Sequence, residues 1–148
     1  MSKRILFSIF AAAICFTIAI VSAQQNPSAQ IDPANVLIGT WEGTVDGVRD
    51  NGRTVIIRSI KRTENGWEAQ GFYATSASKG RGERMTFEVS RQGDDVVVEF
   101  VTSQKNPGTL KLMDEHHMEG TMNFVLAGRT TNRLIKLEKV DSKKADSN

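Results

Sequence analysis

Thiols are almost absent from this sequence: 148 residues carry one cysteine, Cys15, and it falls inside an N-terminal apolar run. Everything after that run lacks a disulfide, a thiolate metal site and a cysteine nucleophile. Its stability must rest on a hydrophobic core. Histidine is nearly as scarce, with two residues side by side at His116 and His117. Nucleophilic hydrolysis needs a Ser or Cys beside a His and an orienting carboxylate, and no Gly-x-Ser-x-Gly is present. Nothing marks out any two of the 17 acidic residues as a glycosidase pair. The chain therefore reads as non-enzymatic, with no cofactor implied. Glycosylation acceptors are missing as well, because Asn26 is followed by Pro27.

What is present begins with an export pattern. Lys3 and Arg4 are followed by an uncharged stretch over 5–21, and Val21-Ser22-Ala23 sets small residues before Gln24. A positive start, an apolar middle and a small-residue exit predict a signal peptide over 1–23, cut after Ala23. An uncleaved membrane anchor is the other reading of the same run. The expected location is secreted or periplasmic, with no stable membrane insertion once the leader is removed. The leader holds two of the 19 basic residues and none of the acidic ones, leaving 17 of each sign. A neutral domain has no field to steer it to nucleic acid, where affinity rests on clustered Lys and Arg. Nucleic acid is excluded as a partner.

Residues 24–35 are polar, carry Pro27 and Pro33, and read as a linker. Residues 141–148 read as a disordered charged tail. The segment between, 36–140, has strand character throughout. Eight strands are expected, over 37–45, 54–61, 67–75, 83–90, 96–103, 109–114, 117–125 and 131–140. Turn residues separate them, as in Glu64-Asn65-Gly66, Gly93-Asp94 and Asn106-Pro107-Gly108. Trp67, Ala69, Gly71 and Tyr73 alternate with polar neighbours, as do Met85, Phe87 and Val89, which is the period of a half-buried strand. Short links imply a meander, and closing it removes both edges. The fold expected is all-β: one antiparallel eight-stranded meander barrel. Val97 and Val101 break the alternation and are expected on the outside.

The first strand holds Gly39-Thr40-Trp41, then Glu42 and Gly43. A Gly-x-Trp in that place resembles the calycin group of lipocalins, fatty-acid-binding proteins and avidins. The run from Gly66 to Tyr73 looks like an avidin-type second hairpin, and the whole is similar to small bacterial exported domains with the same first strand. The resemblance implies that Trp41 plugs one end of the barrel with Arg133 of the last strand over its ring. The sequence departs from each named family, since it lacks the lipocalin Thr-Asp-Tyr motif, the later avidin tryptophans and room for a helical lid. The fold transfers; the ligand does not.

Three candidate sites follow. Tyr73, Phe87, Phe100, Met118, Met122 and Phe124 either fill the barrel or line a mouth for a small apolar or amphipathic ligand. Ala69, Gly71 and Gly120 on the same face would leave it room. Lys79, Arg81 and Arg84 form either a long hairpin loop or a lip that contacts an anion. Asp114, His116 and His117 carry metal-ligand chemistry, but neighbours on an extended chain point apart, so a solvated turn is expected and no metal. The rival to a ligand barrel is a packed one that meets an envelope protein or cell-wall polymer through Val97, Val101 and its outer surface.

Overall fold

The computed structural model describes residues 32–78, 81–126 and 128–140. The expected signal peptide, most of the expected linker and the expected charged tail lie outside them. Eight strands follow a short helix: α1 Pro33–Leu37, then β1 Gly39–Val45, β2 Gly52–Thr63, β3 Gly66–Thr75, β4 Glu83–Gln92, β5 Asp95–Val101, β6 Pro107–Leu112, β7 His117–Leu126 and β8 Arg129–Val140. Each strand pairs antiparallel with the next, and β8 returns to β1, closing the barrel.

The closed end is built by α1, which takes the last residues of the expected linker. Asp32 caps it, its carboxylate accepting from the Ala34 amide at 3.0 Å, and Pro33 starts it with a preset φ. Pro33, Val36 and Leu37 are buried. The carbonyls a helix end leaves over find partners here. Trp41 Nε1 donates to the Leu37 carbonyl at 2.9 Å, and Lys139 Nζ donates to the Val36 carbonyl. Five residues are too few to show a helical period, which hides the element from pattern reading.

Lys139 also corrects the expected cation over the indole. Its Nζ lies 5.3 Å from the Trp41 ring centroid, and the two residues are Cα partners across β1 and β8. Arg133 is six positions earlier on β8, roughly 20 Å along the strand. It lies near the other end, its guanidinium so close to Gly47 that a Cβ there would meet Nη1 at 2.6 Å.

Inside, Trp41, Phe87, Ile57, Leu110, Met118, Ile135 and Leu137 are fully buried, so this part of the barrel is packed. A bulge between Ile57 and Ser59 advances β2 by one residue. It turns Ile60 to the side of its partner Ala69 and lets Arg62 stack on Trp67 at 5.7 Å. The space expected beside Gly71 and Gly120 does not exist. A Cβ on either would lie 1.8 or 1.9 Å from a carbonyl oxygen of the adjacent strand. Main chain fills that room. Val97, expected outside and exposed, is only 6% exposed. Its β6 partner Lys111 reaches Asp95 at 2.7 Å, so a lysine stem crosses the outer face beside it.

Candidate functional site

The end opposite Trp41 is open. The loops after β1, β3, β5 and β7 surround it, and it holds a cavity of about 190 Å³. Met122 and Phe124 of β7 and Tyr73 of β3 form the apolar part of the lining, with Arg53 of β2 and Glu83 of β4 beside them. Ser78, Arg81, Thr102, Ser103, Gln104 and Asn106 line it from the loops.

Arg53 shares strand parity with Val55 and Ile57, so it points inward, and it is 5% exposed. Its Nη1 donates to the carbonyls of Asp50 and Gly52 at 2.6 and 2.7 Å. Its Nε is buried without a partner. The Asp50 carboxylate accepts from the Ala77 amide at 2.8 Å, tying the first loop to the third, and also feels the charge of Arg53. The Ser76 hydroxyl and that amide hold Asp50 below the usual carboxylate range. Glu83 accepts from the Ser103 amide at 3.1 and 3.3 Å. In the β5–β6 loop, Thr102 accepts from the Asn106 and Lys105 amides, and Asn106 Oδ1 accepts from Val125. The rim is held by hydrogen bonds rather than by apolar packing.

Tyr73 bridges the packed core and the cavity. Its hydroxyl donates to Met122 Sδ at 3.4 Å and its ring leans on Phe100, 5.8 Å between centroids. Burial pushes its phenol above the ordinary value; Arg53 opposes the shift and Glu83 adds to it. Tyr73 is the only tyrosine in the chain, so phenolate absorbance reports it alone. The expected titration midpoint lies above about 10. The neutral phenol then favours the fold below that pH, and the contribution is lost as pH rises through the shifted value. A midpoint at or below the ordinary value would place the hydroxyl in bulk water.

Of the six residues expected to meet a ligand, Tyr73, Met122 and Phe124 line this cavity. Phe87 and Met118 are fully buried in the packed part. Phe100 is buried between Tyr73 and Phe87 and borders a separate outer hollow of about 640 Å³. That hollow opens where the β4–β5 ladder stops at Glu88 and Glu99, although β4 runs on beside β3 to Glu83. The basic loop also divides. Arg81 is at the cavity, Arg84 is on the outer face opposite Phe72, and Lys79 lies outside the described residues.

The histidine turn sits between β6 and β7 at the Trp41 end, away from the cavity. Asp114 accepts from the His116 amide at 2.7 Å, and its two carboxylate oxygens lie 2.8 Å from His117 Nδ1. These bonds hold Asp114 below the usual range. The His116 contribution is its backbone, and among the described residues no three His, Cys, Asp or Glu side chains converge on one point.

Sequence reading missed Arg53, Glu83 and Asn106. Arg53 carried a signal: a charged residue in register with two inward aliphatics.

No family model and no curated protein matches the chain. Among solved structures, the barrel is similar to a de novo designed fluorescence-activating β-barrel. That likeness is 18% identical over 74% of this chain and 99% of the other, with a TM-score of 0.46.

Proposed function

We propose that this protein is an exported, non-enzymatic barrel of the calycin kind that takes a small amphipathic ligand into its mouth. One observation carries this reading. A barrel sealed at one end by Trp41 and α1 holds, at the other, a cavity with an apolar lining and a buried cation. Binding sites pair a mainly apolar wall with a few placed polar groups, and usually enclose about 300–1,000 Å³. At about 190 Å³ this cavity takes a very small molecule or one end of a longer one. The calycin kinship is supported by the Gly-x-Trp strand and by the cation of β8 over its indole, supplied here by Lys139. Export is supported by the leader pattern in the sequence.

Native mass spectrometry of the protein recovered from its own cells tests the reading. The expected result is an adduct lost on denaturation and absent from M122W, in which an indole occupies the cavity. A clean protein mass in both forms would contradict it.

An outer-surface role with an envelope protein or cell-wall polymer is the second reading. Val101, the Cα partner of Pro107, and Val125 are 61% and 55% exposed and lie toward the open end. On this reading V101K combined with V125K abolishes retention on isolated cell wall and leaves the mouth adduct intact. Retention by the double variant would rule it out.

A further inference from the structure

The side of the barrel is open between β4 and β5. Their ladder ends at Glu88 and Glu99, yet β4 continues to Glu83 beside β3 and β5 continues to Val101 beside β6. The outer hollow of about 640 Å³ lies between the diverging strands. Main-chain groups face into it. Gln92 and Asp95 close a two-residue turn and exchange hydrogen bonds, so every second residue back along β4 faces β5, which includes Thr86 and Arg84. On β5, Thr102 turns its N–H to the Asn106 carbonyl on the β6 side, so its neighbour Val101 faces β4. The N–H and C=O groups of Arg84, Thr86 and Val101 therefore lie beyond the ladder, with no Cα partner across the opening. Backbone donors and acceptors need partners, and a free strand edge offers them at the spacing of another strand.

Charge decides whose strand it can be. Among the described residues, the lining of the hollow sets Glu83, Glu88 and Glu99 against Arg84. Glu83 is engaged by the Ser103 amide. Glu88 and Glu99 are Cα partners where the opening begins, both are exposed, and no ion pair among the described residues involves either. Glu68, the β3 partner of Glu88, is by contrast taken by Lys61 at 2.8 Å. Like charges directly opposite each other on a sheet repel. A second copy of this chain would bring the same acids to the edge, whereas a basic segment would neutralise them. We propose that the free edge of β4 takes an extended basic segment of a partner protein as an added strand. Its outward Lys or Arg side chains meet Glu88 and Glu99, and its inward apolar ones rest on Met85 and Phe100 in the hollow. This site is outside the barrel and does not depend on the mouth holding a ligand.

Three peptides test the proposal: acetyl-Lys-Val-Lys-Val-Lys-Val-amide, its counterpart with Glu for each Lys, and the lysine form methylated on its lysine backbone nitrogens. In an antiparallel pair the residues that bond to Thr86 and Arg84 share their outward face, so those methyl groups replace the required donors. The lysine peptide is expected to bind about tenfold or more tighter than the glutamate peptide, the swing from attraction to repulsion at two acids. Methylation costs about tenfold as well, the margin of two or more lost hydrogen bonds. Binding slows hydrogen exchange at the Thr86 amide. E88K combined with E99K changes two exposed positions and reverses the preference between the lysine and glutamate peptides. Equal binding of the methylated peptide would show charge attraction without an added strand and overturn the proposal. So would equal binding of the glutamate peptide, an unmoved Thr86 amide, or an unreversed preference in the double variant. A native chain that dimerises and ignores the lysine peptide would seat a second copy on the edge and equally overturn it.

Discussion

Gly71→Ala is expected to cost about 4 kcal/mol or more, a large share of the stability of a domain this size. The added Cβ would sit 1.8 Å from the Ile56 carbonyl oxygen, and that atom belongs to the paired strand, not to a side chain that can swing aside. Gly43 on β1 and Gly120 on β7 face the same obstacle, at 1.8 Å from Lys136 and 1.9 Å from Thr109. Three strands thus bring their inward side so close to a neighbour's backbone that no side chain fits. Glycines of this kind let a sheet bend sharply enough to close. Denaturant titration checks the claim, with Gly93→Ala as the control. Gly93 has nothing within 4 Å of an added Cβ and a φ of +67°, so only the left-handed backbone is penalised, by about 1–2 kcal/mol. Equal midpoints for the two variants would show that the strands can part without loss.

Trp41→Ala is expected to cost about 3–5 kcal/mol, the range for deleting a large buried aromatic. The indole is fully buried, and it holds α1 to the barrel through the Leu37 carbonyl. Trp41→Phe keeps the ring but strands that carbonyl, with an expected loss of about 1–3 kcal/mol. The partner is identified by double-mutant cycles. Trp41 and Lys139 should couple by about 0.5–2 kcal/mol, as a cation over an aromatic face does. Trp41 and Arg133 should not couple, because they belong to opposite ends of the barrel. Coupling to Arg133 in place of Lys139 would contradict the register of β1 and β8.

Both effects bear on the mouth as well. The packed end holds the strands in place, so the rim loops can be spent on polar groups. Asp50, Glu83 and Asn106 fix those loops by accepting backbone amides. Arg53 adds to the same network by donating to the carbonyls of Asp50 and Gly52.

Period-two alternation and turn residues are local properties, and they determined by themselves that this chain forms eight antiparallel strands closing into a barrel. Inward Tyr73, Met122 and Phe124 followed from the same parity. The remaining features depend on which atoms of distant strands meet, and only the tertiary structure decided them. Lys139 and Arg133 have equal parity on β8, so strand pattern cannot say which one covers Trp41; register with β1 can. Gly71 and Gly120 look like free space along a strand until the neighbouring carbonyl is placed beside them. Val97 is outward by parity yet buried, with the Lys111–Asp95 pair beside it. Arg53 is one more basic residue in the sequence; the fold encloses it and turns it to the carbonyls of Asp50 and Gly52. A chain's own repeat shows which way a side chain points, but what it meets there is set by pairing between segments far apart in sequence.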